Sequence, residues 1–107
     1  MVRPKLEETP EEIRNRQRTA IMIRVLRSAI GLNQRELSER VGLSFSGIAK
    51  VENGTMRLNA EKLEEIFAFF DAAGLRYRYR GGKMTITLSD DTLNTLLEHG
   101  LVWPDNT

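Results

Sequence analysis

Ser44, Ser46 and Lys50 fall in one short stretch and have the types and spacing to act together. Ser46 and Lys50 are one helical turn apart, so on a helix they share a face. A hydroxyl and an ammonium so placed suit phosphate oxygens and the acceptor edges of bases, not proton transfer. Ser44 stands immediately before them as a helix N-cap, and the free N–H groups and positive dipole end behind such a cap favour anions. Other chemistry is poorly served. The one histidine, His99, sits at a predicted helix end, where a cation is favoured for structural reasons alone. Asp90 and Asp91 read as helix-start residues, and there is no cysteine, glycine-rich phosphate loop or paired-histidine spacing. Neither catalysis, nor a metal, nor another cofactor is expected.

The elements that must position these side chains are legible around them. Leu37 and Val41 lie one turn apart on one helix, Ile48 and Val51 on a second, with Leu43 between. Gly42 stops the first helix and Ser44 starts the second. This predicts helices over Gln34–Val41, capped by Asn33, and Phe45–Glu52, a helix-turn-helix pattern that presents its second helix to a DNA groove. Upstream, Thr9-Pro10-Glu11-Glu12 reads as a capped start for a helix to about Ala29. Its expected inward positions are Ile13, Ala20, Ile21, Val25 and Leu26, with Met22 or Ile23 partly covered, and Arg14, Arg16, Arg18 and Arg24 outside the stripe. Downstream, Asn59 caps a helix over Ala60–Ala73 with Leu63, Ile66, Phe67 and Phe70 on its apolar face. The period then switches to two: Leu75, Tyr77 and Tyr79 face one way and Arg76, Arg78 and Arg80 the other. Gly81-Gly82 makes a hairpin turn, and Met84, Ile86 and Leu88 join the tyrosine face. A short last helix runs from Asp90 to His99 with Leu93, Leu96 and Leu97 apolar. The expected fold is mainly α: a flexible arm (1–8), a helical DNA-binding domain (9–73), and a hairpin plus short helix (74–107) for packing or dimerisation.

The 107-residue chain is 40% hydrophobic, enough for one compact core, and its net charge is +1. That charge is unevenly spread. Residues 13–58 hold nine Lys/Arg against three Glu, whereas residues 59–107 hold five against eight Asp/Glu. The basic charge concentrates on the helix-turn-helix block, as suits a phosphate-facing surface. No apolar run approaches a membrane span and the N-terminus lacks a signal-peptide core, so a cytoplasmic, nucleoid-associated protein with no membrane partner is expected.

From Gly31-Leu32-Asn33-Gln34 through Val51-Glu52-Asn53-Gly54 the chain resembles the lambda-repressor-like (XRE) family of bacterial and phage transcription regulators. The segment FFDAAGLRYRYRGGKMTITL also looks like an XRE subgroup with a short hairpin after the fourth helix. The resemblance implies DNA base contacts from Phe45, Ser46, Gly47 and Lys50, and phosphate contacts from Gln34, Ser44 and Asn53. Arg18, on the arginine-rich first helix, is a further candidate for phosphate. Arg27 and Glu52 match a pair that bridges the first and third helices in that family, a clip rather than a reader. Phe45 and Gly47 depart from the polar readers frequent at those positions. Phenylalanine can press on thymine methyls, and glycine weakens a helix by about 1 kcal/mol relative to alanine. Base readout is thus thin: either DNA shape contributes much of the specificity, or Phe45 serves another surface.

The expected function is that of a sequence-specific regulator, a repressor, acting as a homodimer on a palindromic duplex operator. Half-sites should lie about 34 Å, one duplex turn, or a multiple apart. Tyr77, Tyr79, Ile86, Leu97 and Trp103 are the candidate dimer or partner surface. The alternative is an XRE-type antitoxin that neutralises a protein partner and autoregulates its operon.

Overall fold

Reciprocal hydrogen bonds fix the start of α1 (Pro10–Ala29). Thr9 Oγ1 accepts from the Glu12 N–H at 3.1 Å and Glu12 Oε1 from the Thr9 N–H at 2.9 Å. Asn33 and Glu36 do the same for α2 (Gln34–Val41), at 2.8 Å each way. The computed structural model describes residues 8–99 and continues with α3 (Phe45–Glu52), α4 (Ala60–Ala72), β1 (Leu75–Arg80), β2 (Lys83–Leu88) and α5 (Asp90–His99). It is the mainly helical fold with a hairpin and short final helix that the sequence predicts, with α4 ending one residue early. The arm through residue 7 and the Leu101-Val102-Trp103 tail, with Trp103 as candidate partner residue, lie outside the described residues. Glu8, expected to end the arm, accepts an ion pair from Arg16 and faces Arg57 at 3.6 Å.

One apolar core gathers residues from every helix. Ile23, Leu26 and Ile30 from α1 and its end meet Leu37 and Val41 of α2, Ile48 and Val51 of α3, and Ile66 and Phe70 of α4. Leu75 and Leu96 join the same cluster, so packing continues unbroken from α4 into the hairpin and α5. The α1 stripe differs from the expected one. Ala20, Met22, Ile23 and Leu26 are buried, whereas Ile21 and Val25 are 44% and 42% exposed. Apolar residues at nearly every position from 20 to 26 offer more than one stripe at helical period, and only contact with α2–α4 selects Ile23–Leu26–Ile30.

The α2–α3 turn is tight because Gly42 takes φ +71°, a left-handed conformation costly for other residues. Leu43 donates its N–H to Ser38 O at 3.1 Å, and Lys62 of α4 donates Nζ to Val41 O at 3.3 Å. A cation thus meets the otherwise free carbonyl end of α2.

β1 and β2 pair antiparallel, with Tyr77 opposite Ile86 and Tyr79 opposite Met84. Their apolar face leans on the helices. The Tyr77 ring lies 4.6 Å from that of Phe67, and Ile86 and Leu88 pack against the core. Phe69, which falls off the α4 stripe, packs edge-on to Phe70 with ring centroids 5.4 Å apart.

Candidate nucleic-acid interface

α3 divides cleanly into two sides. Gly47, Ile48, Val51 and Glu52 are buried. Phe45, Ser46, Lys50 and Asn53 are exposed, with Ala49 half-covered among them. Eight residues at a 1.5 Å rise make a rod of about 12 Å, short enough to lie in a major groove about 12 Å wide. Ser44 Oγ accepts from the Gly47 N–H at 2.9 Å, which caps the rod and fixes its first turn.

The rod is locked from behind by a charge network. Arg27 Nε donates to Glu52 Oε2 at 2.7 Å and Arg27 Nη2 to Glu52 Oε1 at 2.9 Å, a bidentate fork. Arg27 Nη1 also donates to Leu32 O at 2.8 Å, and Gln34 Nε2 to Glu52 Oε1 at 3.0 Å. The Glu52 side chain is 1% exposed and that of Arg27 17%. A buried carboxylate is tolerated only when charge-paired and hydrogen-bonded, and Glu52 is both. The network ties α1, the α1–α2 turn, α2 and α3 at one point, so α3 cannot rotate about its axis without breaking it.

The predicted site residues do not all come together. Ser44, Phe45, Ser46 and Lys50 share the outer surface of α3, and no carboxylate pairs with Lys50 among the described residues. Asn53 closes the far end, where its Oδ1 accepts from the Thr55 N–H at 3.0 Å and from Thr55 Oγ1 at 2.6 Å. Gln34 stands at the N-terminal edge, half-buried, its amide turned to Glu52. Gly47 is not outward. It is buried, and a Cβ there would lie 3.1 Å from Ser44 Oγ, pointing back at the cap. Only an outward neighbour can reach a base edge from that turn. Arg18 is placed elsewhere too. Its guanidinium stacks 4.7 Å over the Tyr79 ring and donates to Asn15 Oδ1 at 2.9 Å. Arg24, also on α1, is exposed near the end of α3, where it borders a shallow groove with Gln17, Glu52, Asn53 and Gly54. Six residues of helix turn the chain by about 240° beyond a full turn, so Arg18 and Arg24 cannot share a face.

Three features of the site lie outside the residues predicted for it. Arg35 of α2 stacks its guanidinium 4.7 Å over the Phe45 ring, orienting that aromatic and adding a cation beside it. No period links positions on two different helices, so only the fold brings them together. Arg16 Nε donates to Gly54 O at 2.7 Å and holds the loop after α3 against α1. Ala49 is the third, and its signal is present in the sequence: it lies one turn from both Phe45 and Asn53 on the outer stripe. Of the expected partner surface, Tyr77, Tyr79 and Ile86 lean on the protein's own helices, with each tyrosine still more than 40% exposed, whereas Leu97 is 82% exposed.

A helix-turn-helix family model matches residues 23–74, from mid-α1 past the end of α4. Those residues are similar to that family's helix-turn-helix domain. The Gly31–Gly54 segment that resembles the XRE family falls wholly within it. The chain is also 38% identical, over 61 residues, to proteins of Sinorhizobium medicae and Rhizobium meliloti, each named an uncharacterized HTH-type transcriptional regulator. Each alignment covers 49% of this chain and 44% of the relative, so the chain spans less than half the length of those curated relatives. Among the described residues, no helix is long and apolar enough to cross a membrane.

Proposed function

We propose that the chain is a transcriptional regulator that binds duplex DNA sequence-specifically through α3, acting as a homodimeric repressor on a palindromic operator in the cytoplasm. The observation that carries this reading is the division of α3. Its inner side is locked by Glu52, Arg27 and Gln34, while its outer side offers Ser46, Lys50 and an apolar surface at Phe45 and Ala49 suited to thymine methyls. Ser44 and Asn53 at the two ends of the rod, with Gln34 at its edge, stand where backbone phosphates would flank it. The HTH-type naming of the relatives agrees with it. Homodimerisation is supported by the exposed apolar residues Leu93 and Leu97 of α5, which a second copy would cover, and by the small area one such unit can bury alone. The same two leucines would equally serve the antitoxin reading, in which another protein covers them.

In vitro selection from random duplex DNA is the test. The expected result is a recovered motif with two inverted half-sites, whose base preference changes when Lys50→Ala is selected in parallel. Recovery of no motif, or of the same motif with undiminished affinity from Lys50→Ala, would contradict it. Sedimentation of the free protein as a dimer favours the homodimer. A free monomer that forms a stoichiometric complex with another protein favours the antitoxin.

A further inference from the structure

The hairpin carries a second cationic face that the recognition helix does not use. β1 and β2 hold Arg76, Arg78, Arg80 and Lys83 and no carboxylate. Because the tyrosine face packs inward, the period of two turns all four cations outward, together with Thr85 and Thr87. The register sets Arg76 opposite Thr87, Arg78 opposite Thr85 and Arg80 opposite Lys83. Arg76 pairs with Asp71. Arg78, Arg80 and Lys83 are exposed and meet no carboxylate among the described residues.

Like charges directly across a strand pair are unfavourable, and a two-stranded hairpin is marginal to begin with. A row of unmatched cations therefore weakens the element that bears it, unless something anionic covers it. Arginines two residues apart stand about 6.6 Å apart along the strand, about twice the 3.4 Å rise per phosphate of one DNA strand. Each guanidinium can thus address a separate phosphate with its planar fork. The face is also uniform: every outward side chain on it is Arg, Lys or Thr, all phosphate-binding types. A protein-docking patch would be centred on an aromatic or aliphatic anchor, and the apolar side chains of this hairpin point the other way.

We propose that the outer face of the hairpin is a second, sequence-independent phosphate-binding surface for duplex DNA, distinct from α3. This rests on the DNA-binding reading above and adds to it a grip on duplex beyond the base pairs that α3 would read.

The test uses the full chain and random-sequence duplex DNA several helical turns long, followed by fluorescence anisotropy across a salt series. Arg78→Gln/Arg80→Gln/Lys83→Gln removes the cations and relieves their repulsion, so folding is retained. Its log–log salt slope should be shallower by about two to three, at roughly 0.9 for each phosphate no longer neutralised, with affinity at low salt at least tenfold weaker. The motif recovered by selection should be unchanged. Thr85→Glu/Thr87→Glu, which leaves every arginine in place and neutralises the row locally, should weaken random-duplex binding in the same direction. Wild-type slope and affinity in both variants would overturn the proposal while leaving the α3 reading intact. Absence of any duplex binding by the wild-type chain would remove both. Displacement of the protein from DNA by polyglutamate as effectively as by competitor duplex would assign the face to acidic polypeptide instead, and overturn it.

Discussion

The helix-turn-helix half and the hairpin half of this molecule treat charge in opposite ways. In α1–α3 the decisive arginine, Arg27, is spent inside: both oxygens of a buried Glu52 receive it, and a third donor from Gln34 joins them. In the hairpin, Arg78, Arg80 and Lys83 stand outside without carboxylate partners among the described residues. Charge in the first region sets geometry, holding a short helix at one rotation so that its outer side chains keep fixed positions. Charge in the second sets a field over an element whose shape comes from Tyr77, Ile86 and Leu88 packed on the helices. The two also meet the core differently. α3 is locked by a charged side-chain network, whereas α5 meets the end of α4 where the Thr92 side chain lies tight against the backbone of Ala73 and Gly74.

That last contrast is broken most severely at Gly74. Its φ is +92° and a Cβ there would fall 1.6 Å from Thr92 Oγ1, the hydroxyl that donates to Ala73 O at 2.7 Å. Gly74→Ala must strain the backbone and displace Thr92, and it should cost about 4 kcal/mol from the combined strain and overpacking. Chemical denaturation would measure it, and a loss under about 1 kcal/mol would mean that the junction is looser than its geometry. Next in size is Arg27→Met. It leaves the buried Glu52 with Gln34 alone and should cost about 3 kcal/mol, the toll of breaking a buried pair from one side. The readout is the unfolding midpoint, and an unchanged midpoint would deny the lock. Ser44→Ala removes the α3 cap and should cost about 1 kcal/mol, with the loss appearing first as faster amide exchange in Phe45–Ile48. The smallest effect belongs to Arg35. In a double-mutant cycle, Arg35→Ala and Phe45→Ala should couple by about 0.5–1 kcal/mol, as a partly exposed cation–π pair does. Strict additivity would show that the stacking contributes nothing.

Local signals carry most of this fold, and tertiary ones carry the exceptions. Thr9, Asn33, Ser44 and Asn59 cap helices because each precedes its own helix in sequence, and Gly42 and Gly81-Gly82 mark turns for equally local reasons. The period of two in Leu75–Arg80 fixes which side of β1 faces inward without any knowledge of the rest. Ile21 and Val25 cannot be placed that way: seven nearly all-apolar positions admit several stripes, and contact with α2–α4 decides. Arg18 and Arg24 look alike as letters, but one stacks on Tyr79 while the other borders Asn53, a difference set by where the hairpin and α3 land on α1. The family resemblance groups Gly47 with outward positions, while its place on α3 sets it on the buried side with Ile48 and Val51. The Arg35–Phe45 stack has no signature at all, since it joins two helices through their docking angle.

Duplex DNA is proposed to lie on the outer surface of α3, with the Arg27–Glu52–Gln34 network undisturbed behind it. Titrating the isotope-labelled full chain with its selected duplex, and following backbone amide shifts residue by residue, tests this without any substitution. The largest shifts are expected at Ser44–Lys50 and Asn53, with smaller ones at Gln34, and Ile23, Leu26 and Ile66 unmoved. Shifts concentrated on α5 with α3 silent would contradict it.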